Sequence, residues 1–258
     1  MTINNLREKY FNSIELDASV YEHLKEKLHQ IAGNYNLLEQ PIDIISARTL
    51  TPEECIGTPK RKDFPLVKGK EVMIEARFIN AAGQAFTDLP GSFNGKIKDV
   101  LALDLSNNFE RAIFISSVNA VLKHLKWIDR SVHCKNEEPE KCAENLVPYV
   151  REIANQPRIA FIGFQPAMIE NLARYFELRV ADLDPANVGK EKYGVLIEPV
   201  ENTKDIIAWS ELILATGTTV VNNTFIPLMG NKPVIFYGVT ISGVAFFTGC
   251  RQYCYCGH

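Results

Sequence analysis

Apolar residues in the first 126 positions follow helical spacing in some stretches and strand spacing in others. From Val20 to Ile31 they recur every three or four positions, which predicts an amphipathic helix that ends at Gly33. A second stretch, 109–126, places Phe114, Val118 and Leu122 on one helical face. The remaining expected elements are a helix over 96–105, strands over 42–48 and 71–79, and a polar, proline-containing loop over 51–65.

From Arg158 onward, short apolar runs alternate with helical patterns. RIAFIGF (158–164) is a continuous apolar run, typical of a buried parallel strand, and an amphipathic helix begins at Pro166. Further strand patterns lie at 176–184, 193–198, 211–217 and 233–238, and further helical patterns at 203–210, 224–230 and 242–247. Repeated βα units build a parallel sheet, which predicts an α/β fold with a Rossmann-like domain at 107–258 after a smaller α+β domain at 1–106.

Composition narrows the classes of function. The chain has 258 residues and a net charge of −3, from 28 basic and 31 acidic side chains, so it lacks the basic excess of a non-specific nucleic-acid binder. The run 233–250 contains no charge, but its glycines and hydroxyl groups favour a buried strand and helix over a membrane span. The charged N-terminus is unlike a secretory signal, and a cytoplasmic protein is expected.

Polar residues cluster in four loops that follow predicted parallel strands, where such sheets bind ligands. The turn 216–219 joins a glycine to three threonines, and 237–240 repeats a similar arrangement one unit later. Together they are expected to bind an anion, although ordinary turn and capping roles are the alternative for each. The ligand-binding candidates in these loops are Gly163, Gln165, Pro166, Asp182, Asp184, Thr216, Gly217, Thr218, Thr219, Asn222, Tyr237, Gly238 and Thr240.

The first of these loops lacks the glycine-rich fingerprint of a dinucleotide site. Gly163 is followed by Phe164, Gln165 and Pro166 where GxGxxG would place small residues and free N–H groups. Asp182 lies 19 residues beyond Gly163, where an acid that binds ribose is expected, but a turn-capping role fits it equally well. A pyrophosphate-bound dinucleotide is therefore not expected here.

Six cysteines form the second chemical feature. In a cytoplasmic chain they are expected to be free thiols or metal ligands rather than disulfides. His133 and Cys134 precede Cys142 in HCKNEEPEKCA, and the chain ends in CRQYCYCGH. Thiolate and imidazole donors at this density predict a transition-metal site, although the spacing is imperfect for structural zinc and a mobile tail with exposed thiols is the alternative.

Several segments together resemble a family of bacterial and archaeal domains of unknown function described as putative heavy-metal chelation. The likeness is carried by HCKNEEPEKCA, the segment 162–189, ATGTTVVNNT, FYGVTISGVAFFTGC and the closing YCYCGH. GQAFTDL and the segment that contains Asn119 look like the family's first domain, which adds Asn119 to the candidates. The resemblance implies an enolase N-terminal-like first domain, a Rossmann-like second domain, a site in the cleft between them, and metal or metallo-cofactor handling in anaerobic metabolism.

The resemblance also ranks the thiols. It favours Cys254, Gly257 and His258 in the tail over Cys250 and Cys256, which leaves the last two as incidental. The metal-ligand candidates are His133, Cys134, Cys254 and His258, and the metal expected is Zn, Co, Ni or Fe.

Three hypotheses of function follow. The first is that the chain binds a metal ion or a small anionic metal chelate in the interdomain cleft, with no nucleic-acid or membrane partner and in a homo-oligomer or a monomer. The second is an enzyme that acts on a nucleotide or an S-adenosylmethionine-like ligand held at the strand ends. The third is a non-catalytic binding module. No residue can be assigned a catalytic role, since no G-x-S-x-G elbow and no paired base are found.

Overall fold

A computed structural model describes residues 3–45, 52–68 and 71–258. The first part contains helices and an antiparallel sheet. The helices are α1 (Ile3–Tyr10), α2 (Val20–Asn34), α3 (Pro52–Ile56) and α4 (Ile97–Leu101). The strands are β1 (Pro41–Ile45), β2 (Val72–Phe78), β3 (Ala81–Thr87) and β4 (Asn94–Lys96), paired in the order β3-β2-β1-β4. Helix α2 buries the apolar face that its spacing predicts.

The second part contains a seven-stranded sheet. Its strands are β5 (Ile159–Ile162), β6 (Leu178–Asp182), β7 (Glu191–Lys192), β8 (Val195–Pro199), β9 (Leu212–Thr216), β10 (Val234–Tyr237) and β11 (Arg251–Tyr253). They pair in the order β11-β10-β9-β5-β6-β8-β7, and only β7 is antiparallel to its neighbour. This is the predicted Rossmann-like α/β fold, and the strand order reverses at β5, between β6 and β9.

Six helices accompany this sheet: α5 (Asn108–His124), α6 (Glu138–Ile153), α7 (Pro166–Ala173), α8 (Thr203–Trp209), α9 (Thr218–Val221) and α10 (Ser242–Thr248). Helix α5 lies against β2 and β3 on one side and contacts α9 and α10 on the other. The approach of α5 to β3 requires Gly83, because a Cβ there would overlap the backbone of Ser116 and Ala120. One buried cluster therefore runs through α5 from the antiparallel sheet to the parallel one.

Asn119, a predicted ligand-binding residue, instead joins the two sheets. Its Nδ2 donates to the carbonyl oxygens of Gln84 (3.0 Å) and Val239 (3.2 Å), and its Oδ1 accepts the N–H of Gly243 at 2.7 Å. The side chain is fully buried and does not reach the cavity described below. Since buried backbone groups must be hydrogen-bonded, these polar contacts account for an asparagine in an apolar helix face.

Several predicted elements differ from the observed ones. The expected loop 51–65 contains the one-turn helix α3, and the expected helix 96–105 ends at Leu101, before Leu105 adopts a positive φ of 59°. Within 224–230 there is only a 3-10 turn, Ile226–Leu228, because the helix begins earlier, in the Thr218–Val221 segment. Part of the expected strand 42–48 lies outside the described residues. No helix in the described parts of the chain is both long and apolar enough to cross a membrane.

Candidate functional site

A cavity of about 1030 Å³ lies at the carboxyl ends of the parallel strands. The loops after β5, β6, β9 and β10 form one side of it. Phe64, Leu66 and Phe86, from the first part of the chain, form the opposite side. The cavity thus lies beside the point where the strand order reverses, which is where open α/β sheets bind their ligands.

Most of the predicted site residues face this cavity. From the strand-end loops these are Gly163, Gln165, Asp182, Asp184, Thr216, Thr218, Thr219, Asn222, Tyr237, Gly238 and Thr240, and from the thiol-rich segments they are His133, Cys134 and Cys254. Four predicted residues do not line it, namely Asn119, Pro166, Gly217 and His258. Pro166 is instead the first residue of α7, where its missing N–H costs nothing.

Gly163 and Tyr237 pack together on the sheet side of the cavity. Gly163 has a φ of 98°, and a Cβ there would lie 2.8 Å from Thr216 Cγ2 and 2.9 Å from Tyr237 Oη. The N–H of Gly163 donates to Ala181 O at 2.8 Å, so it is not free to bind a ligand. Gly163 is therefore needed for close packing and for its backbone conformation. This agrees with the absence of a dinucleotide-binding GxGxxG fingerprint in the loop.

The turn 216–219 uses several of its own hydrogen-bond donors, which leaves fewer of them for an anion than the sequence predicts. The N–H of Gly217 donates to Tyr237 O at 2.9 Å, and the N–H of Thr218 donates to Thr216 Oγ1 at 3.3 Å. The Thr219 hydroxyl donates to Thr216 O at 2.8 Å. A Cβ at Gly217 would lie 2.9 Å from Ile241 N, so this glycine permits close packing of two turns instead of ligand approach.

The charged groups that line the cavity are mainly acidic. In the described parts of the chain, five carboxylates face it and one lysine, Lys204, opposes them; the carboxylates belong to Glu71, Asp88, Asp182, Asp184 and Glu201. Burial, reinforced by the nearby Asp182 carboxylate, raises the pKa of Glu71 to about 7. Burial likewise raises the pKa of Asp182, against the hydrogen bond from Asp184 N to its Oδ1 at 2.8 Å. This lining favours a cation over an anion.

The raised pKa of Glu71 predicts a pH-dependent stability. Its folded-state pKa of about 7 exceeds the ordinary value of 4.5, so protonated Glu71 favours folding below about pH 4.5 and this contribution is lost as the pH rises through 7. In metal-free protein, Glu71→Gln should therefore be more stable than wild type at about pH 8, by at most about 3 kcal/mol, and similar to it at about pH 4.5. Urea unfolding of both proteins across this range measures the difference; a difference that does not change with pH would contradict the assignment.

Four thiols gather where the C-terminal tail meets α6. We call Cys134, Cys142, Cys254 and Cys256 the thiol cluster. Cys142 is its central member: its sulfur accepts the Cys256 N–H at 3.2 Å, and it interacts with the thiols of Cys134 and Cys256. Cys254 interacts electrostatically with the other three. Cys134, Cys142 and Cys254 line the cavity, so the cluster forms part of its wall.

The four thiols of the cluster differ in their pKa values. Donation from the Cys134 thiol, and then from the Cys256 N–H, holds the pKa of Cys142 below its ordinary value in spite of burial. The pKa of Cys134 is raised, first because its thiol donates to Cys142 and then because it is buried. Burial is the main cause of the raised pKa values of Cys254 and Cys256. Cys142 is thus the thiol that most readily becomes a thiolate.

The tail is not a free end, and it approaches the HCK segment as the soft donors in both predict. The backbone of His258 pairs with Val132, with N–O distances of 3.0 and 2.8 Å. Cys256, which the resemblance set aside, belongs to the thiol cluster, whereas the His258 ring faces outward and lies 3.3 Å from Glu138 Oε2. His258 is therefore not among the residues that face the cavity. Strand β11 ends before the tail, so the alternation of faces expected for a C-x-C pair on a strand does not apply.

His133 lies in the cavity wall in its neutral form. Burial lowers the pKa of its imidazole to about 4. Its Nδ1 is buried without a hydrogen-bond partner among the described residues, and the ring packs edge-on against Phe86 at 5.4 Å between centroids. A neutral ring nitrogen is the form that binds transition metals, so His133 has the chemistry predicted for it.

Residues 145–250 match the model of the DUF364 family, described as putative heavy-metal chelation. The predicted resemblance is confirmed. A crystal structure of a DUF364 protein of unknown function from Pyrococcus horikoshii is similar to this chain, with a TM-score of 0.52 and 16% identity over 86% of this chain and 79% of the other. A DUF364 protein of unknown function from Desulfitobacterium hafniense gives a TM-score of 0.48 and 12% identity over 69% and 73%. No curated protein matches the chain.

The DUF364 description raises the question of whether these residues suit a metal. The donor chemistry of the thiol cluster does, because thiolates bind soft metals and the Cys142 sulfur, which accepts the Cys256 N–H at 3.2 Å, interacts with two further thiols. Across the described ranges 3–45, 52–68 and 71–258, however, no three His, Cys, Asp or Glu side chains converge into a preformed metal site. A metal would therefore have to draw the thiol side chains together.

Proposed function

We propose that the cavity binds a soft metal cation, or a small cationic metal complex, through the thiol cluster. The observation that carries this proposal is the Cys142 sulfur, which lines the cavity with Cys134 and Cys254 and accepts the Cys256 N–H at 3.2 Å. The DUF364 match supports a metal-related role in general terms. Cys134, Cys142 and Cys256 would supply sulfur donors, with Cys254 and His133 in the same wall.

The acidic lining narrows the class of ligand. Among the described residues, five carboxylates and a single lysine face the cavity, which opposes the entry of an anionic chelate and favours a cation. A thiolate cluster selects among cations, because soft sulfur ligands prefer Zn(II), Co(II) and heavier thiophilic ions to Mg(II) or Ca(II). The anionic part of the original hypothesis therefore has less support than its metal part.

The position of the cavity supports the two-domain hypothesis. Its walls come from residues on both sides of the expected boundary, with Phe64 and Phe86 from 1–106 and the strand ends from 107–258. We retain as proposals this division, the enolase N-terminal-like character of the first unit, and the site between the two. Helix α5, just after the boundary, packs against the sheet of the first unit.

Titration with Co(II) tests the proposal directly. Protein purified without oxygen and stripped of metal should bind Co(II) and develop a thiolate charge-transfer band in the near ultraviolet. The affinity should rise as the pH increases from about 6 to about 8, because the protonated thiols must lose their protons to bind. Binding without a charge-transfer band, or no binding at any pH in this range, would contradict metal binding by the thiol cluster.

A further inference from the structure

Within the thiol cluster, Cys142 and Cys256 differ in how easily a dissolved reagent can reach them. Cys142 is 4% exposed and Cys134 is 5% exposed, whereas Cys256 is only partly buried. Cys256 also lies in the tail beyond β11, 114 residues from Cys142 along the chain. A partly exposed cysteine therefore lies beside a buried sulfur, which accepts its N–H at 3.2 Å.

We propose that Cys142 and Cys256 form a reversible disulfide by exchange with a low-molecular-weight disulfide. The Cys256 N–H donates to the Cys142 sulfur at 3.2 Å, which holds the two cysteines side by side. Bringing the two sulfurs together is the main geometric requirement of a disulfide. The closed loop would contain the whole segment between α6 and the tail.

The reaction proceeds in two displacements. First, the thiolate of Cys256 attacks one sulfur of the external disulfide; a mixed disulfide forms, and the other half of the reagent leaves as a thiolate that takes up the Cys256 proton. Next, the Cys142 thiolate attacks the Cys256 sulfur and expels the second half of the reagent. Overall, two protein thiols are oxidised to one disulfide, and one external disulfide is reduced to two thiols.

The surroundings favour Cys142 as the thiol that resolves the mixed disulfide. Its sulfur accepts the Cys256 N–H at 3.2 Å, so it lies next to the residue that would carry the external half of the reagent. Cys134 also interacts with Cys142, but it is only 5% exposed and is less accessible to the external disulfide than the partly exposed Cys256. The order of events therefore follows from exposure for Cys256 and from hydrogen bonding for Cys142.

A second consequence rests on the proposed metal binding. The disulfide would remove two of the sulfur donors from the thiol cluster, so oxidation and metal binding would exclude each other. Metal loading should protect Cys256 from the reagent, and oxidation should abolish the Co(II) charge-transfer band.

The experiment uses the full chain, metal-free and reduced, with oxidised glutathione as the probe. After incubation, intact mass should fall by about 2 Da as two hydrogens are lost, and peptide mapping should identify a Cys142–Cys256 crosslink. Cys250→Ser is the matched control, since Cys250 lies in the same tail region and outside the thiol cluster; it should react like wild type. Cys142→Ser should stop at a stable glutathione adduct on Cys256.

Each alternative outcome has a defined meaning. A crosslink between Cys134 and Cys142, a persistent glutathione adduct on wild type, or no reaction would overturn the proposed disulfide. The mass measurement needs no metal, so a correct crosslink in a protein that never binds Co(II) would refute the proposed function and leave the disulfide standing. Co(II) binding that survives full oxidation would refute the mutual exclusion.

Discussion

Replacing Cys142 with serine should lower the affinity for Co(II) and Zn(II) by more than about 100-fold. Changes to residues that merely support metal ligands cost about 10- to 100-fold, and Cys142 is proposed as a ligand itself. It is also the member of the thiol cluster that interacts with both Cys134 and Cys256, and its sulfur accepts the Cys256 N–H. Without Cys142, the other thiols of the cluster would lack the sulfur atom that connects them.

Competition with a chelator of known affinity measures this effect, with Cys250→Ser as the matched control. Cys250 is a tail cysteine whose pKa is raised to about 11 by burial, and no other thiol contributes to that shift. The control should bind like wild type. An equal loss in both variants would show that tail cysteines act through folding, and an unchanged Cys142→Ser would exclude Cys142 as a ligand.

The substitution Gly83→Ala should reduce the free energy of unfolding by about 3 kcal/mol or more. A Cβ at this position would overlap backbone atoms of Ser116, Asn119 and Ala120, and backbone cannot move aside as a flexible side chain can. To accommodate it, α5 would have to shift away from β3. Because α5 carries the apolar cluster that reaches the parallel sheet, the disturbance should extend beyond the antiparallel sheet.

The control for this prediction is Gly33→Ala. Gly33 lies exposed near the end of α2, and nothing lies within 4 Å of the position that its Cβ would take. Alanine there should raise the stability by about 0.5–1 kcal/mol, since glycine is the poorer helix former. Urea unfolding of both variants gives the comparison. A Gly83→Ala protein as stable as wild type would show that α5 and β3 are not held as closely as described.

The fold could be predicted from the sequence wherever the apolar pattern of a helix or strand lies within its own residues. Helix α2 carries its apolar spacing within 15 residues, and β5 is a continuous apolar run. Helix α6 was missed because a proline, Pro148, lies inside it and many of its residues are charged. The short strand β11 was missed because three residues carry no periodicity.

The candidate site could be predicted only in part, because much of it depends on distant residues meeting. The rule that ligands bind at strand ends pointed to the loops that line the cavity. It could not show that the donors of the turn 216–219 bond within the turn and to Tyr237 O, or that Asn119 joins two sheets. Local spacing likewise gives no sign that Cys142 and Cys256 lie close together, because they are far apart in the sequence. No sequence motif pointed to Glu71 as a cavity residue.

X-ray absorption spectroscopy of the zinc-loaded protein tests the central claim most directly. The metal should be added to reduced protein in less than one equivalent, so that only the tightest site fills. We predict a first coordination shell with at least about three sulfur atoms at about 2.3 Å. A first shell made only of oxygen and nitrogen atoms at about 2.0–2.2 Å would contradict metal binding by the thiol cluster.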